Sequence, residues 1–121
     1  MKKDDLTRFV DAANAISRSL QKLAQIPPLS AQSTYVQTAD TTRNVISIYA
    51  AVSADIIRFL VLADRILDAI NLKDQSTREL FLAQIESCRS DARKLTDISC
   101  AIEDLILDLC NHLDSRIREH D

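Results

Sequence analysis

The sequence predicts an all-α fold, an antiparallel bundle of three long helices, and three observations support this. The 121 residues include no Gly and only two Pro. Proteins rich in β-strands need Gly for their tight turns, so a chain without Gly consists of few elements joined by few sharp turns. Apolar residues recur at alternating intervals of three and four, as in helices with coiled-coil-like packing. We expect one domain over residues 1–121.

The first predicted helix runs from about Asp4 to Ile26. Pro27 and Pro28 end it, because Pro has no backbone N–H to donate and disfavours helical geometry in the residue before it. We call the row of apolar positions along a helix its seam. The seam of this helix is Leu6, Phe9, Ala13, Ile16, Leu20 and Leu23.

The second predicted helix has an uninterrupted apolar seam but an ambiguous start. Ser30 is a good N-cap, and the three-four spacing reaches back to it. Residues 30–44 are also rich in Ser, Thr and Gln, several of which favour caps and turns over helix interiors. We predict a start near Ser30, with a loop to about Thr41 as the alternative. The seam is Val45, Tyr49, Val52, Ile56, Phe59, Ala63, Ile66 and Ile70.

The third predicted helix begins at Ser76, where Glu79 would complete a capping box, and ends near Arg118. A kink near residues 87–91 would divide it and give four helices. If the second helix starts near Ser30, the first covers only the open end of the hairpin formed by the other two. The seam of the third helix is Phe81, Ile85, Cys88, Ala92, Leu95, Ser99, Ile102, Ile106, Leu109 and Leu113.

More apolar residues are present than three seams require. Ile57, Val61 and Leu62 are predicted to project away from the seam of the second helix, and Cys100 and Leu107 away from that of the third. A helix that is apolar nearly all round is buried nearly all round. These five residues therefore predict an interface, with a second copy of the chain as the simplest partner.

The residues that could bind a phosphate or a metal ion do not form the motifs that such binding needs. Without Gly the chain has no Gly-rich phosphate loop. Asp108 and His112 are spaced to share a metal ion, but the Glu-x-x-His motif of di-iron bundles is absent, so we predict no metal and no cofactor. A stripe on the third helix is expected to be a solvated acidic face that could meet a basic partner. It comprises Asp97, Asp104, Asp108 and Asn111.

Charge and cysteine content predict an acidic cytoplasmic protein. The net charge is −3, and residues 95–115 hold five acids and no Lys or Arg, which argues against nucleic-acid binding. Uncharged runs such as Asn44–Ala54 are too short to cross a membrane. Three Cys, an odd number, favour a reduced compartment. Export without a cleaved signal peptide stays open.

The function that these features favour is that of a non-enzymatic interaction protein. It would be a subunit, adaptor or regulator that acts through helix packing and self-associates. The alternative is a helical-bundle enzyme or small-ligand-binding protein with a pocket between helices, near Ser99 and either Tyr49 or Tyr35. A weaker option is a nucleic-acid accessory protein that uses Arg8, Arg18 and Lys22 of the first helix.

Overall fold

A computed structural model describes residues 3–119 and shows three helices. Helix α1 spans Lys3–Leu23, α2 spans Tyr35–Leu67 and α3 spans Gln75–Arg118. Residues 3–119 contain no strand, and the helices pack against one another, so the predicted all-α bundle is confirmed. Helix α3 continues without a break through residues 87–91, which gives three helices rather than four.

Helix α2 begins between the two predicted starts, at a capping box that the sequence analysis did not identify. The Thr34 hydroxyl accepts a hydrogen bond from the Gln37 backbone N–H at 3.1 Å. The Gln37 side-chain oxygen accepts one from the Thr34 N–H at 2.8 Å. These two bonds satisfy donors that a helix start leaves unpaired, so the helix can begin in a Thr-rich stretch.

The N-cap of α3 is Asp74 rather than the predicted Ser76. The Asp74 carboxylate accepts a hydrogen bond of 2.6 Å from the Thr77 hydroxyl. In the preceding turn, the Asn71 side chain accepts one of 3.1 Å from the Lys73 backbone N–H. These local contacts order the turn and start the helix two residues before the predicted cap.

Helix α1 lies antiparallel to α2, beside the part of α2 that runs from Val45 to Arg65, close to the 68–74 turn. Phe9, early in α1, stacks on Phe59, whereas Leu23 at its end lines a groove with Val45. The expectation that α1 covers the open end of the hairpin is therefore wrong. The connector, residues 24–34, is the reason, since it runs back about 15 Å along the first ten residues of α2 before that helix starts.

The core is densest where all three helices meet. The Phe9 ring lies 4.6 Å from Phe59 and 5.4 Å from Phe81, stacked on both. Ala12 is fully buried, and its small side chain lets α1 approach α2 closely. The predicted seam of α2 is confirmed up to Ile66: Val45, Val52, Ile56, Phe59, Ala63 and Ile66 are buried, and Tyr49 is partly buried. Ile70, the last predicted seam residue, lies beyond the end of α2 at Leu67.

The seam of α3 is correct in its first half. In its second half Ile102 and Leu109 are partly buried as predicted, but the other three positions are displaced by one residue. Ile98 is buried, whereas the predicted seam residue Ser99 is exposed. Leu105 is likewise partly buried, whereas Ile106 is exposed. Two apolar rows with the same spacing run side by side here, so periodicity could not choose between them. The neighbours of α3 decide, because its second half has helix α2 and the connector beside it.

Candidate interaction surfaces

The structure leaves four of the five predicted interface residues at the surface. On α2, the exposed fraction is 62% for Ile57 and 52% for Val61. On α3, Cys100 and Leu107 are also exposed. Leu62 is only 5% exposed, so the prediction that it projects away from the core is wrong. It lies in the core cluster because α1 packs on a second face of α2, next to the seam.

A row of apolar side chains on α2 lies outside the bundle. We call it the outer stripe and define it as Ile46, Ala50, Ile57, Leu60 and Val61, all of which are exposed. Of these five residues, only Ile57 and Val61 were predicted from the sequence. The signal for the others was available, because positions 46, 50, 53, 57 and 60 repeat the four-three spacing of a second seam.

Ser53 is the polar residue within this second seam, and its hydroxyl group has a hydrogen-bond partner. Its hydroxyl donates a 2.8 Å hydrogen bond to the Tyr49 backbone carbonyl, one turn earlier in α2. A hydroxyl bonded within its own helix can pack against an apolar neighbour without the desolvation penalty of a free one. The row is therefore suitable for helix packing along its whole length.

The apolar character of α2 also bears on membranes. The helix has 33 residues, and its most apolar 18 residues have a mean hydropathy of 2.0 with a third of them buried, so by length and composition alone it could cross a membrane. Its longest uncharged runs are short because Asp55 and Arg58 interrupt them. Those two side chains pair with each other at 3.6 Å. The absence of a membrane partner stays a prediction.

A second surface is an open groove of about 630 Å³ between the end of α1, the connector and helices α2 and α3. Val45 and Ile98 are buried at its floor. Further apolar walls come from Leu23, Ile26, Pro27, Pro28, Leu29, Ala101 and Leu105. We call it the acidic-rimmed groove, because three carboxylates also line it: Asp97, Asp104 and Asp108.

These three carboxylates belong to the stripe that was expected to be a solvated acidic face able to meet a basic partner, and all three are exposed. They also line one side of the acidic-rimmed groove, since all three are on α3. When Ile98 and Leu105 turn inward, Asp97, Asp104 and Asp108 come to the edge of the groove. Asp108 also lies 3.7 Å from the His112 side chain. An apolar floor with an acidic rim fits a ligand with an apolar body and positive charge.

The residues proposed for a pocket between helices do not come together. Ser99 is exposed and does not line the acidic-rimmed groove, so that location is wrong. Tyr35 instead meets His112 edge-on, with ring centroids 6.4 Å apart. Among the described side chains, every buried polar atom has a hydrogen-bond partner. A group of three or more side chains placed to hold a metal ion does not occur among them.

The three cysteines are free thiols in different surroundings. Cys88 is buried, whereas Cys100 and Cys110 are exposed. Burial raises the pKa of the Cys88 thiol, and the negative charge of Asp91 raises it further. Cys88 is therefore held as a neutral thiol within the core, and the thiols that reagents can reach are on α3 beyond it.

The basic residues that suggested nucleic-acid binding lie in separate places. Arg8 lines a groove between α1 and α2 with Arg58 and Arg65, where Asp11 is also present. Lys22 lines a different groove near the connector. The structure thus brings three Arg together at one place, and only Arg8 among them belongs to the residues named from the sequence.

Comparisons with protein-family models, with curated proteins and with solved structures found no match. The class of this protein is therefore defined by its fold, a small three-helix bundle with an apolar stripe on its middle helix. The two surfaces described above are the features on which a functional proposal can rest.

Proposed function

We propose that this protein is a non-enzymatic helical interaction protein, a subunit, adaptor or regulator, that self-associates through the outer stripe of α2. The observation that carries the proposal is the second three-four row on that helix, which is apolar and unoccupied by the other described helices. A row with this spacing is suited to pack against another helix. The proposal places the protein in the cytoplasm.

The side chains of the outer stripe must act together. Fully burying one Ile, Leu or Val contributes about 1.5–3 kcal/mol, and the side chains of Ile57, Leu60 and Val61 are already about half covered. Association itself costs at least about 4 kcal/mol in lost freedom of motion. A single residue therefore cannot hold two molecules together. Several contacts on each of two copies can.

The test is the mass of the protein in solution at micromolar concentration. Light scattering should give more than 13.6 kDa for the wild type, and Ile57→Glu should return it to 13.6 kDa, because a carboxylate cannot be buried unpaired in an apolar interface. Val36→Glu is the matched control, since Val36 is 66% exposed on the same helix but outside the outer stripe. A monomeric wild type would overturn the proposal.

A lipid surface is the competing partner for the outer stripe, and the same variants distinguish it. Flotation with neutral phosphatidylcholine vesicles should leave the wild type in the aqueous fraction. If the wild type floats and Ile57→Glu does not, the stripe serves a membrane, and self-association in solution is not its role. Circular dichroism of both variants confirms that they keep the helical content of the wild type.

A second candidate function is binding of a small amphiphilic cation in the acidic-rimmed groove. The observation that favours it is the placement of Asp97, Asp104 and Asp108 along one side of an apolar floor. Submicellar dodecyltrimethylammonium should bind and shift the NMR signals of Val45 and Ala101, whereas dodecyl sulfate should not. Asp104→Asn should weaken binding of the cation. Equal binding of the two detergents, or no effect of Asp104→Asn, would exclude this function.

A further inference from the structure

We infer that a second copy docks on the outer stripe antiparallel, with a two-fold axis passing between Ser53 and Ala54 of α2. The inference rests on the proposed self-association and adds the partner's orientation and the residues that face each other. It follows from three properties of the exposed face of α2: the symmetry of its apolar positions, the sizes of the side chains and the position of two charges.

Four of the five outer-stripe residues are arranged symmetrically about the point between Ser53 and Ala54, whereas the fifth, Leu60, has Ser47 at its mirror position. Ile46 lies seven residues before Ser53, and Val61 lies seven residues after Ala54. Ala50 lies three residues before Ser53, and Ile57 three residues after Ala54. In an antiparallel pair with a two-fold axis at this point, each residue faces the one at equal distance on the other side.

The side-chain sizes match in this arrangement. Ala50 of one copy faces Ile57 of the other, so a small residue receives a large one, and this contact occurs twice because of the symmetry. In a parallel pair, Ala50 would face Ala50 and leave a gap, while Ile57 would face Ile57. Packed interfaces avoid such gaps, since unfilled space forfeits dispersion contacts.

Two charges mark the ends of the outer stripe and select the same orientation. Arg43 lies ten residues before Ser53, and Asp64 lies ten residues after Ala54. The Arg43 side chain is 74% exposed and pairs with Asp40 at 3.3 Å. Antiparallel docking brings Arg43 of each copy beside Asp64 of the other. Parallel docking would place Arg43 beside Arg43 and Asp64 beside Asp64, which is repulsive.

The charge arrangement is tested by reversal and rescue. Arg43→Asp should weaken the dimer about tenfold in sedimentation equilibrium at low salt, since like charges then meet at both ends. The double variant Arg43→Asp with Asp64→Arg should recover the wild-type Kd. A parallel dimer has like charges at both ends in the wild type and in both variants, so only the antiparallel arrangement predicts a loss that the second substitution reverses. The control Asp40→Asn removes the pair within the helix and should leave the Kd unchanged.

Cross-linking measures the orientation directly. In a background with Cys100→Ser and Cys110→Ser, which keeps the buried Cys88, Ser53→Cys should form a disulfide-linked dimer when oxidised glutathione is added as oxidant. Arg43→Cys should not, because the two introduced thiols would lie at opposite ends of the interface, about 30 Å apart. Arg43→Cys combined with Asp64→Cys should cross-link.

The outcomes distinguish the antiparallel arrangement from self-association itself. A dimer that cross-links through Arg43→Cys alone, or that the double charge reversal fails to rescue, overturns the antiparallel arrangement while self-association stands. A wild type that is monomeric at all concentrations overturns both.

Discussion

Val61 and Leu62 are adjacent in sequence but have opposite surroundings in α2. Val61 is half exposed in the outer stripe, whereas Leu62 is in the core cluster between α1 and α2. The exposed face of α2 and the face that packs against α1 are therefore adjacent, and the boundary between them lies between Val61 and Leu62. The difference should be measurable as a difference in stability between matched truncations.

Leu62→Ala should lower the free energy of unfolding by about 2–5 kcal/mol, because it removes buried methyl groups and leaves a cavity. Val61→Ala should lower it by less than about 1 kcal/mol, because that side chain is half solvated already. Urea denaturation of both variants in the Ile57→Glu background measures this without a contribution from association. Equal losses would show that α1 does not cover Leu62.

The cysteines should separate into two classes when treated with a thiol reagent. At neutral pH, Cys100 and Cys110 should react with Ellman's reagent in the native protein, and Cys88 only after denaturation, since it is buried and its pKa is raised. The variant Cys88→Ser should leave the native count of reactive thiols unchanged. Three thiols reacting at one rate in the native protein would contradict the buried position.

The raised pKa of Cys88 also gives stability a dependence on pH. The folded protein holds this proton more tightly than the unfolded chain does, so the contribution is full below the ordinary pKa of a thiol. It is lost as the pH rises from that value through the raised one. Cys88→Ala should therefore flatten the fall in stability at alkaline pH, which urea denaturation across pH 8–10 would measure.

At the scale of elements, the position where α2 begins depends on a few side-chain hydrogen bonds. The first ten residues of the helix contain several weak helix formers, and the capping box of Thr34 and Gln37 precedes them. Farther along, the buried Thr42 hydroxyl donates a 2.7 Å hydrogen bond to the Thr38 carbonyl, so burial leaves no unpaired group there. The helix can therefore extend beyond the end of α1 toward the open end of the hairpin.

Thr34→Ala should lower the free energy of unfolding by about 1 kcal/mol, because the Gln37 N–H loses its acceptor. Ser76→Ala is the control, since Ser76 lies inside the first turn of α3 and Asp74 is the N-cap there. Its effect should be under about 0.5 kcal/mol. If Ser76→Ala proved as costly as Thr34→Ala, the cap of α3 would lie where the sequence alone predicted it.

At the scale of the whole molecule, the three helices are unequally covered. Helix α1 covers the end of the hairpin beside the turn, where Phe9, Phe59 and Phe81 stack. The open end has α2, α3 and the connector, and the acidic-rimmed groove forms where α1 stops. The outer stripe lies on a side of α2 that none of the other described helices covers. Association is expected to add to the stability of a bundle with this uneven cover.

The melting temperature should therefore rise with protein concentration, because binding between folded copies favours the folded state by mass action. Circular dichroism melts at tenfold steps in concentration measure this for the wild type. Ile57→Glu should melt at one temperature throughout. A wild-type melting temperature that does not change with concentration would show that association contributes nothing to folding.

Local regularities determined much of this protein from its sequence. The absence of Gly, the Pro27-Pro28 stop and the three-four spacing were enough for the fold class and most of the core seam of α2, while the choice between three and four helices stayed open. Such features act within one helix or at its ends, so their consequences can be worked out without knowing the neighbours. The surface positions of Ile57 and Val61 were found in the same way.

Only the tertiary structure decided which helix lies beside which part of α2. The connector places α1 beside the part of α2 that is closer to the turn. That placement buries Leu62 and leaves the acidic-rimmed groove where α1 ends. On α3, the tertiary structure buries Ile98 and leaves Ser99 exposed, although each belongs to a row of positions with helical spacing. Periodicity identifies which side chains share a face, but burial of a face depends on contacts between residues far apart in sequence, which a repeat along one helix does not encode.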